Sequence, residues 1–125
     1  MGYLVVFLGG GLGAALRHGV NVGLARWPGT GFPLSTLTVN VTGSIVMGLI
    51  AGYFAFKGGG ASQHWRLFLT TGILGGYTTF SAFSLDVALL YERGALMLAA
   101  LYVVGSVLLS IAGLFAGLML VRHFS

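Results

Sequence analysis

Four long apolar segments, joined by short polar connections, constrain this chain more than any other feature of its sequence. They cover about residues 3–24, 34–56, 67–91 and 95–121. A bilayer core about 30 Å thick needs about 20 apolar residues in a helix, and each segment reaches that length. The connections carry charges and turn residues, as loops do. The sequence therefore predicts four membrane-spanning helices in a single domain over residues 1–125.

The composition excludes a soluble protein of the same length. Apolar residues make up 57% of the chain and charged residues 6%, whereas a soluble domain has roughly 25% charged residues. A small domain also has a high surface-to-volume ratio and needs much polar surface. We therefore expect an all-α integral membrane protein. An enzyme is not expected, because the sequence offers no nucleophile, base and cofactor set in workable geometry.

The basic residues stand singly between the apolar segments instead of clustering on one face, which argues against nucleic-acid binding. Four spans divide the basic residues between the two sides of the membrane. Lys57, Arg66 and Arg122 lie on one side, and Arg26 and Arg93 lie on the other, together with Arg17 if it reaches that interface. So small a difference favours neither orientation. The sequence therefore predicts dual topology and an antiparallel homodimer, in which two molecules supply the symmetry that larger transporters encode in one chain.

Glycine pairs at GxxxG spacing occur in every segment. They are Gly9 with Gly13, Gly48 with Gly52, Gly72 with Gly76, and Gly113 with Gly117. Small residues at this spacing let membrane helices approach closely. The pairs predict tight helix packing and carry no more specific information.

The third segment carries the strongest local signal. Gly75 and Gly76 are followed closely by the β-branched residues Thr78 and Thr79, so weak helix formers meet near the middle of the span. We expect the helix to break there. Freed carbonyl groups at broken membrane helices coordinate small cations, so one interpretation is a metal site made of main-chain oxygen. A packing kink at the glycine pair is the alternative.

Polar side chains recur at helical spacing in the second and fourth segments. Thr36, Asn40 and Ser44 share one helix face, and Tyr102 and Ser106 share another. An amide in hydrocarbon is unfavourable without a partner. Asn40 therefore either hydrogen-bonds another helix or donates its NH2 group to a passing anion.

An aromatic pair lies beside a hydroxyl stripe in the third segment. Phe80 and Phe83 fall on one helix face, and Ser81 and Ser84 form the neighbouring stripe. Because an aromatic ring has a positive edge, rings presented edge-on can contact an anion. Ordinary core packing explains the same spacing.

Two charged residues lie within or near the spans and have two interpretations each. Asp86 lies five residues inside the end of the third segment, where it either shapes a vestibule or reaches the interface. Arg17 lies deep in the first segment, where it either attracts anions at a pore mouth or anchors the helix.

At these residues the sequence resembles the Fluc (CrcB) family of bacterial fluoride channels, and the resemblance covers essentially the whole chain. The motifs that carry it are residues 13–17 (GAALR), 36–40 (TLTVN) and 72–84 (GILGGYTTFSAFS). The last is highly specific. Ala82 departs from the Ser or Thr expected between the two phenylalanines.

The resemblance implies a passive fluoride channel of the bacterial plasma membrane that exports fluoride and reduces its toxicity. It implies an antiparallel homodimer with two pores and a central structural sodium ion. Phe80 and Phe83 would line the pore, and Asn40 would orient them and donate to fluoride. The main-chain carbonyls of Gly75 and Thr78 from both subunits would hold the sodium. The remaining pore residues implied are Tyr102, Ser81, Ser84, Ser106, Thr36 and Arg17.

Two other classes of membrane protein compete with the channel. A small dual-topology exporter of cations or drugs, coupled to protons, needs a membrane-embedded carboxylate, and the first two segments contain none. A non-transporting scaffold protein is the other alternative, but it would not account for the polar side chains in the second, third and fourth segments.

Overall fold

The computed structural model describes residues 2–24, 33–56 and 63–124, and all regular structure in these ranges is helical. The loop residues Arg26 and Lys57, on which the comparison of charges partly rests, lie outside them. The elements in chain order are α1 (Gly2–Leu24), α2 (Leu34–Phe56), α3 (Gln63–Arg66), a π-helical segment (Leu67–Leu74), α4 (Gly75–Tyr77), α5 (Ser81–Glu92) and α6 (Leu96–His123).

Four stretches of these elements are long and apolar enough to cross a membrane. They are Gly2–Leu24, Leu34–Phe54, Gln63–Glu92 and Leu96–His123. The third stretch is composite and runs from α3 to α5. The prediction of an all-helical protein with four spanning helices is confirmed.

The third span changes its winding before it breaks. The N–H of Gly75 donates to the Thr70 carbonyl five residues earlier, which is the hydrogen bond of a π-helix. The chain then becomes extended at Thr78, with φ −83° and ψ 159°, and α5 begins at Ser81. The predicted break near the middle of the span is confirmed. It lies at the threonines, whereas Gly75 and Gly76 stay helical within α4.

Glycines let the helices pack in two close pairs. In α1, a β-carbon on Gly9 would lie 2.9 Å from the Gly72 Cα atom, and one on Gly13 would collide with the Ile73 carbonyl. Between α2 and α6, a β-carbon on Gly48 would collide with the Leu114 carbonyl, and one on Gly117 with the Ile45 carbonyl. The tight packing predicted from the GxxxG pairs is confirmed.

A tight turn returns the chain from α5 to α6. Gly94 has φ +78°, its N–H donates to the Tyr91 carbonyl, and the Ala95 N–H donates to the Leu90 carbonyl. This is a Schellman motif, which satisfies the last carbonyls of α5. The turn packs α5 onto α6 through the buried residues Phe83, Leu90, Ala99 and Tyr102.

The packing of α2 against α6 predicts that Gly117→Ala destabilises the protein by about 1–3 kcal/mol, because overpacking displaces backbone or side chains. The added methyl group would meet the Leu49 nitrogen at 2.7 Å. The midpoint of thermal unfolding in detergent measures the effect. Gly105→Ala, in the same helix, is the matched control because its β-carbon would meet nothing within 4 Å. Equal midpoints for the two variants contradict the prediction.

Candidate functional site

The Asn40 side chain hydrogen-bonds both main-chain groups of Thr79 at the break. Its Oδ1 accepts the Thr79 N–H at 2.8 Å, and its Nδ2 donates to the Thr79 carbonyl at 3.0 Å. Backbone groups released by a broken helix need partners at membrane depth, since no water satisfies them there. The amide of α2 therefore replaces helical hydrogen bonds of the third span.

Three further hydrogen bonds satisfy backbone groups around the break. Arg17 donates through Nε to the Gly76 carbonyl at 3.2 Å. The Thr78 hydroxyl donates to the Leu74 carbonyl at 2.9 Å, and the Thr79 hydroxyl accepts the Ala82 N–H at 3.1 Å. The last bond satisfies a free donor in the first turn of α5, as a capping side chain does. Partners from α1, α2 and the break itself thus hold the non-helical backbone.

The break presents a row of three aromatic rings. The ring centroids of Phe80 and Phe83 are 5.4 Å apart, and those of Phe83 and Tyr102 are 5.1 Å apart. The Tyr102 hydroxyl donates to Asp86 Oδ2 at 3.0 Å, and the Thr36 side chain lies beside that hydroxyl. The row therefore runs from an exposed Phe80 through a buried Phe83 to a polar cluster at its far end.

A groove of about 370 Å³ lies between α2, the break and α6, and we call it the aromatic groove. Asn40, Phe80, Phe83 and Ser106 all line it. Its other polar lining comes from Ser44, Thr78, Thr79 and Ser110, and its remaining walls are apolar. A mostly apolar lining with a few polar groups is typical of sites for small ligands.

Ser106 lines the groove, and its hydroxyl has no partner among the described residues. Its side chain is buried, and its Oγ atom makes no hydrogen bond to the residues that the structure describes. A buried hydroxyl without a partner is unfavourable. Ser106 is therefore available to a ligand in the aromatic groove.

The structure does not bring every candidate residue into this groove. Arg17 is bonded to Gly76, and Thr36 and Tyr102 lie in the polar cluster around Asp86. Ser81 and Ser84 are exposed on the single chain, and the Ser81 Oγ lies 3.3 Å from the Thr79 Oγ1. The predicted sites therefore divide into the groove, the cluster at one end, and residues around the break.

Gly75 and Thr78, whose main-chain carbonyls are the predicted sodium ligands, lie at the helix break. The Thr79 N–H would bond the Gly75 carbonyl in a continuing helix, but it is donated to Asn40 instead. Thr78 has left the helix. In the described part of the chain no three His, Asp or Glu side chains come together.

Sequence reasoning missed Ser110, and it named Asp86 and Thr79 without the contacts that the structure shows for them. Ser110 continues the spacing of Tyr102 and Ser106 by one more turn, and that periodicity was a usable signal. Asp86 was considered without a partner, because its pairing with Tyr102 joins two spans. Thr79 acts chiefly through its main chain, for which the sequence carries no signal.

Comparisons with known proteins agree with one another. The sequence pattern of the CrcB-like protein, Camphor Resistance (CrcB) family matches residues 4–118. A fluoride-specific ion channel FluC of Rhodopseudomonas palustris is 74% identical over 122 residues, which are 98% of each chain. FluC 2 of Nitrobacter hamburgensis is 67% identical over the full length of both chains. The FluC protein of Methylobacterium nodulans is 60% identical over 97% of this chain and 96% of its own.

The paired bonds to Thr79 predict that Asn40→Ala lowers the free energy of unfolding by about 1–3 kcal/mol, the sum expected of two hydrogen bonds in a membrane protein. Thermal unfolding in detergent measures the change. Ser44→Ala, one turn along the same face of α2, is the control and should unfold near the wild-type midpoint. An Asn40→Ala variant as stable as Ser44→Ala contradicts a structural role for the amide.

Proposed function

This chain belongs to the CrcB family, and on that premise we propose that it is a fluoride-selective channel through which fluoride leaves the cytoplasm passively. Fluoride would move down its electrochemical gradient, and its export would reduce fluoride toxicity. The relatives reported above are named as fluoride-specific ion channels. With four apolar spans, the protein is a multi-pass protein of the bacterial inner membrane.

One observation carries the proposal beyond the relatives' names. At the helix break, where Asn40 bonds both main-chain groups of Thr79, Phe80 and Phe83 line a groove. The same groove is lined by Ser106, whose hydroxyl has no partner in the part of the chain that the structure describes. Fluoride is small and strongly hydrated, so a pore must replace its water with other favourable contacts. Ring edges and hydroxyl or amide donors are contacts of that kind.

Asn40 has hydrogen-bonding capacity left for an anion. A side-chain NH2 group has two N–H donors, and the Thr79 carbonyl takes one of them. The second N–H belongs to a residue in the lining of the aromatic groove. Asn40 would thus combine both roles considered from the sequence, holding the break and donating to fluoride.

The functional assembly in this proposal is an antiparallel homodimer with two pores. Phe80 is 75% exposed on the single chain, although it lines the groove, so one wall of the pore would come from a second copy. Ser81 and Ser84 are exposed beside it and would reach the anion path once that copy is bound. Arg17, Thr36, Tyr102 and Ser106 complete the proposed polar path.

A sodium ion between the subunits is part of the same proposal. The carbonyls of Gly75 and Thr78 from both copies would hold it, and Gly75 is exposed on the single chain. The partial negative charges of these carbonyl oxygens would attract the ion. Asn40 contributes by taking the Thr79 N–H, which leaves the Gly75 carbonyl without its helical donor.

Fluoride release from liposomes tests the proposed function. Purified protein is reconstituted in liposomes loaded with potassium fluoride, a potassium ionophore is added, and a fluoride electrode follows release beside a matched chloride experiment. We expect fast release of fluoride without release of chloride. No fluoride release from a folded dimer would overturn the proposal and favour proton-coupled export of cations.

The aromatic pair is tested by Phe80→Ile and Phe83→Ile in the same assay. Because isoleucine offers no ring edge, we expect fluoride release at the rate of protein-free liposomes, with the dimer unchanged on size-exclusion chromatography. Phe115→Ile is the control, because Phe115 is an exposed aromatic on α6 outside the lining of the aromatic groove. Wild-type release from both pore variants contradicts the assignment.

A further inference from the structure

A second groove continues the same seam between α2 and the third span. It has a volume of about 710 Å³ and lies between α2 and the π-helical segment. Gln63 and Arg66 lie at one end of its lining, at the start of the span, and Gly75 lies at the other. We call it the Arg66 groove. Apart from Gly75, whose carbonyl is assigned to the proposed sodium ion, its lining takes no part in the proposed assembly.

The two grooves are consecutive along α2. The aromatic groove is lined by residues up to Ser44, the Arg66 groove is lined from Ala51 onward, and Met47 between them lines both. Methionine is unbranched and has three rotatable bonds, so it adapts its shape to a neighbour. A single flexible side chain therefore lies where the two grooves meet.

The lining of the Arg66 groove suits anions. Arg66 supplies a positive charge, and Gln63, Thr70 and Thr71 supply amide or hydroxyl groups. Arg66, Gln63 and Thr71 are exposed, and no acidic residue belongs to the described lining. A cleft of one charge sign with low-dielectric walls raises the local concentration of the opposite ion.

We propose that the Arg66 groove is the route by which anions reach the aromatic groove, collected by Arg66 and passing Met47. This inference rests on the proposed channel function and adds to it a path from the membrane interface. Arg66 lies outside the aromatic groove and acts on the rate of arrival. Selectivity stays with the aromatic groove.

Cysteine labelling tests the route cleanly, because the chain contains no cysteine. Thr71→Cys is labelled in detergent with the sulfonated reagent 2-sulfonatoethyl methanethiosulfonate, labelling is checked by mass spectrometry, and the protein is reconstituted for the fluoride assay. We expect release to fall to the protein-free rate, because the label adds bulk and negative charge to the route. Labelled Arg122→Cys, at the same membrane side and outside the described lining, should keep its release.

Each result of the labelling has a definite meaning. Full labelling of Thr71→Cys with undiminished release overturns the route, and so does a cysteine that the reagent cannot reach. Gln63→Cys replaces Thr71→Cys, with the same outcomes, if the unlabelled variant conducts poorly. If the unlabelled wild-type protein does not conduct fluoride, both the proposed function and this inference are wrong. If the unlabelled protein conducts and labelling does not change its release, only the proposed route is wrong.

The salt dependence of release tests the role of Arg66. We expect Arg66→Gln to slow fluoride release at least about threefold at low ionic strength and much less at high ionic strength of an impermeant salt, because salt screens steering by charge. Arg122→Gln, which removes the same charge elsewhere, should change release little at either strength. Equal effects of the two substitutions overturn the role of Arg66.

Discussion

Backbone hydrogen bonding at membrane depth is the constraint on which the rest of this structure depends. A helix that breaks between Thr78 and Phe80 releases N–H and carbonyl groups where lipid offers them nothing. Asn40 from α2 and Arg17 from α1 supply partners from either side of the third span. Together with the Thr78 and Thr79 hydroxyls of the break itself, these two helices supply the polar groups that stabilise it.

Close helix packing is the condition for those bonds. The glycine faces of α1 and the third span place backbone against backbone, so the Arg17 side chain reaches the Gly76 carbonyl without crossing a layer of larger residues. On the other side, Gly43 lies against the Thr78 and Tyr77 side chains, one turn from Asn40. Small residues therefore serve the site indirectly, because they fix the distance over which its polar side chains act.

The sequence was enough to predict the four spans, the break in the third and the packing of the glycine pairs, because each depends on local composition and spacing. Its limits appear at Asp86 and Thr79. The bond from Tyr102 to Asp86 joins two helices, and only their relative rotation shows that it forms. The break lies at Thr78 and Thr79 because Asn40 bonds there, while the weaker helix formers Gly75 and Gly76 stay helical and Gly76 packs against Gly10 of α1. Tertiary contacts overrode helix propensity at that point.

The two hydrogen bonds between Asn40 and Thr79 use the side chain of residue 40 and the main chain of residue 79. They therefore restrict the amino acid at position 40 more than the amino acid at position 79. Every residue except proline carries the N–H and the carbonyl that Asn40 requires. The bonds to Asn40 therefore do not restrict the side chain at position 79, and the capping of α5 there can be made by other short hydroxyl or carboxyl side chains. Position 40 has no such freedom, since only an amide both donates and accepts in this geometry. We therefore expect residue 79 to vary among related sequences more than residue 40.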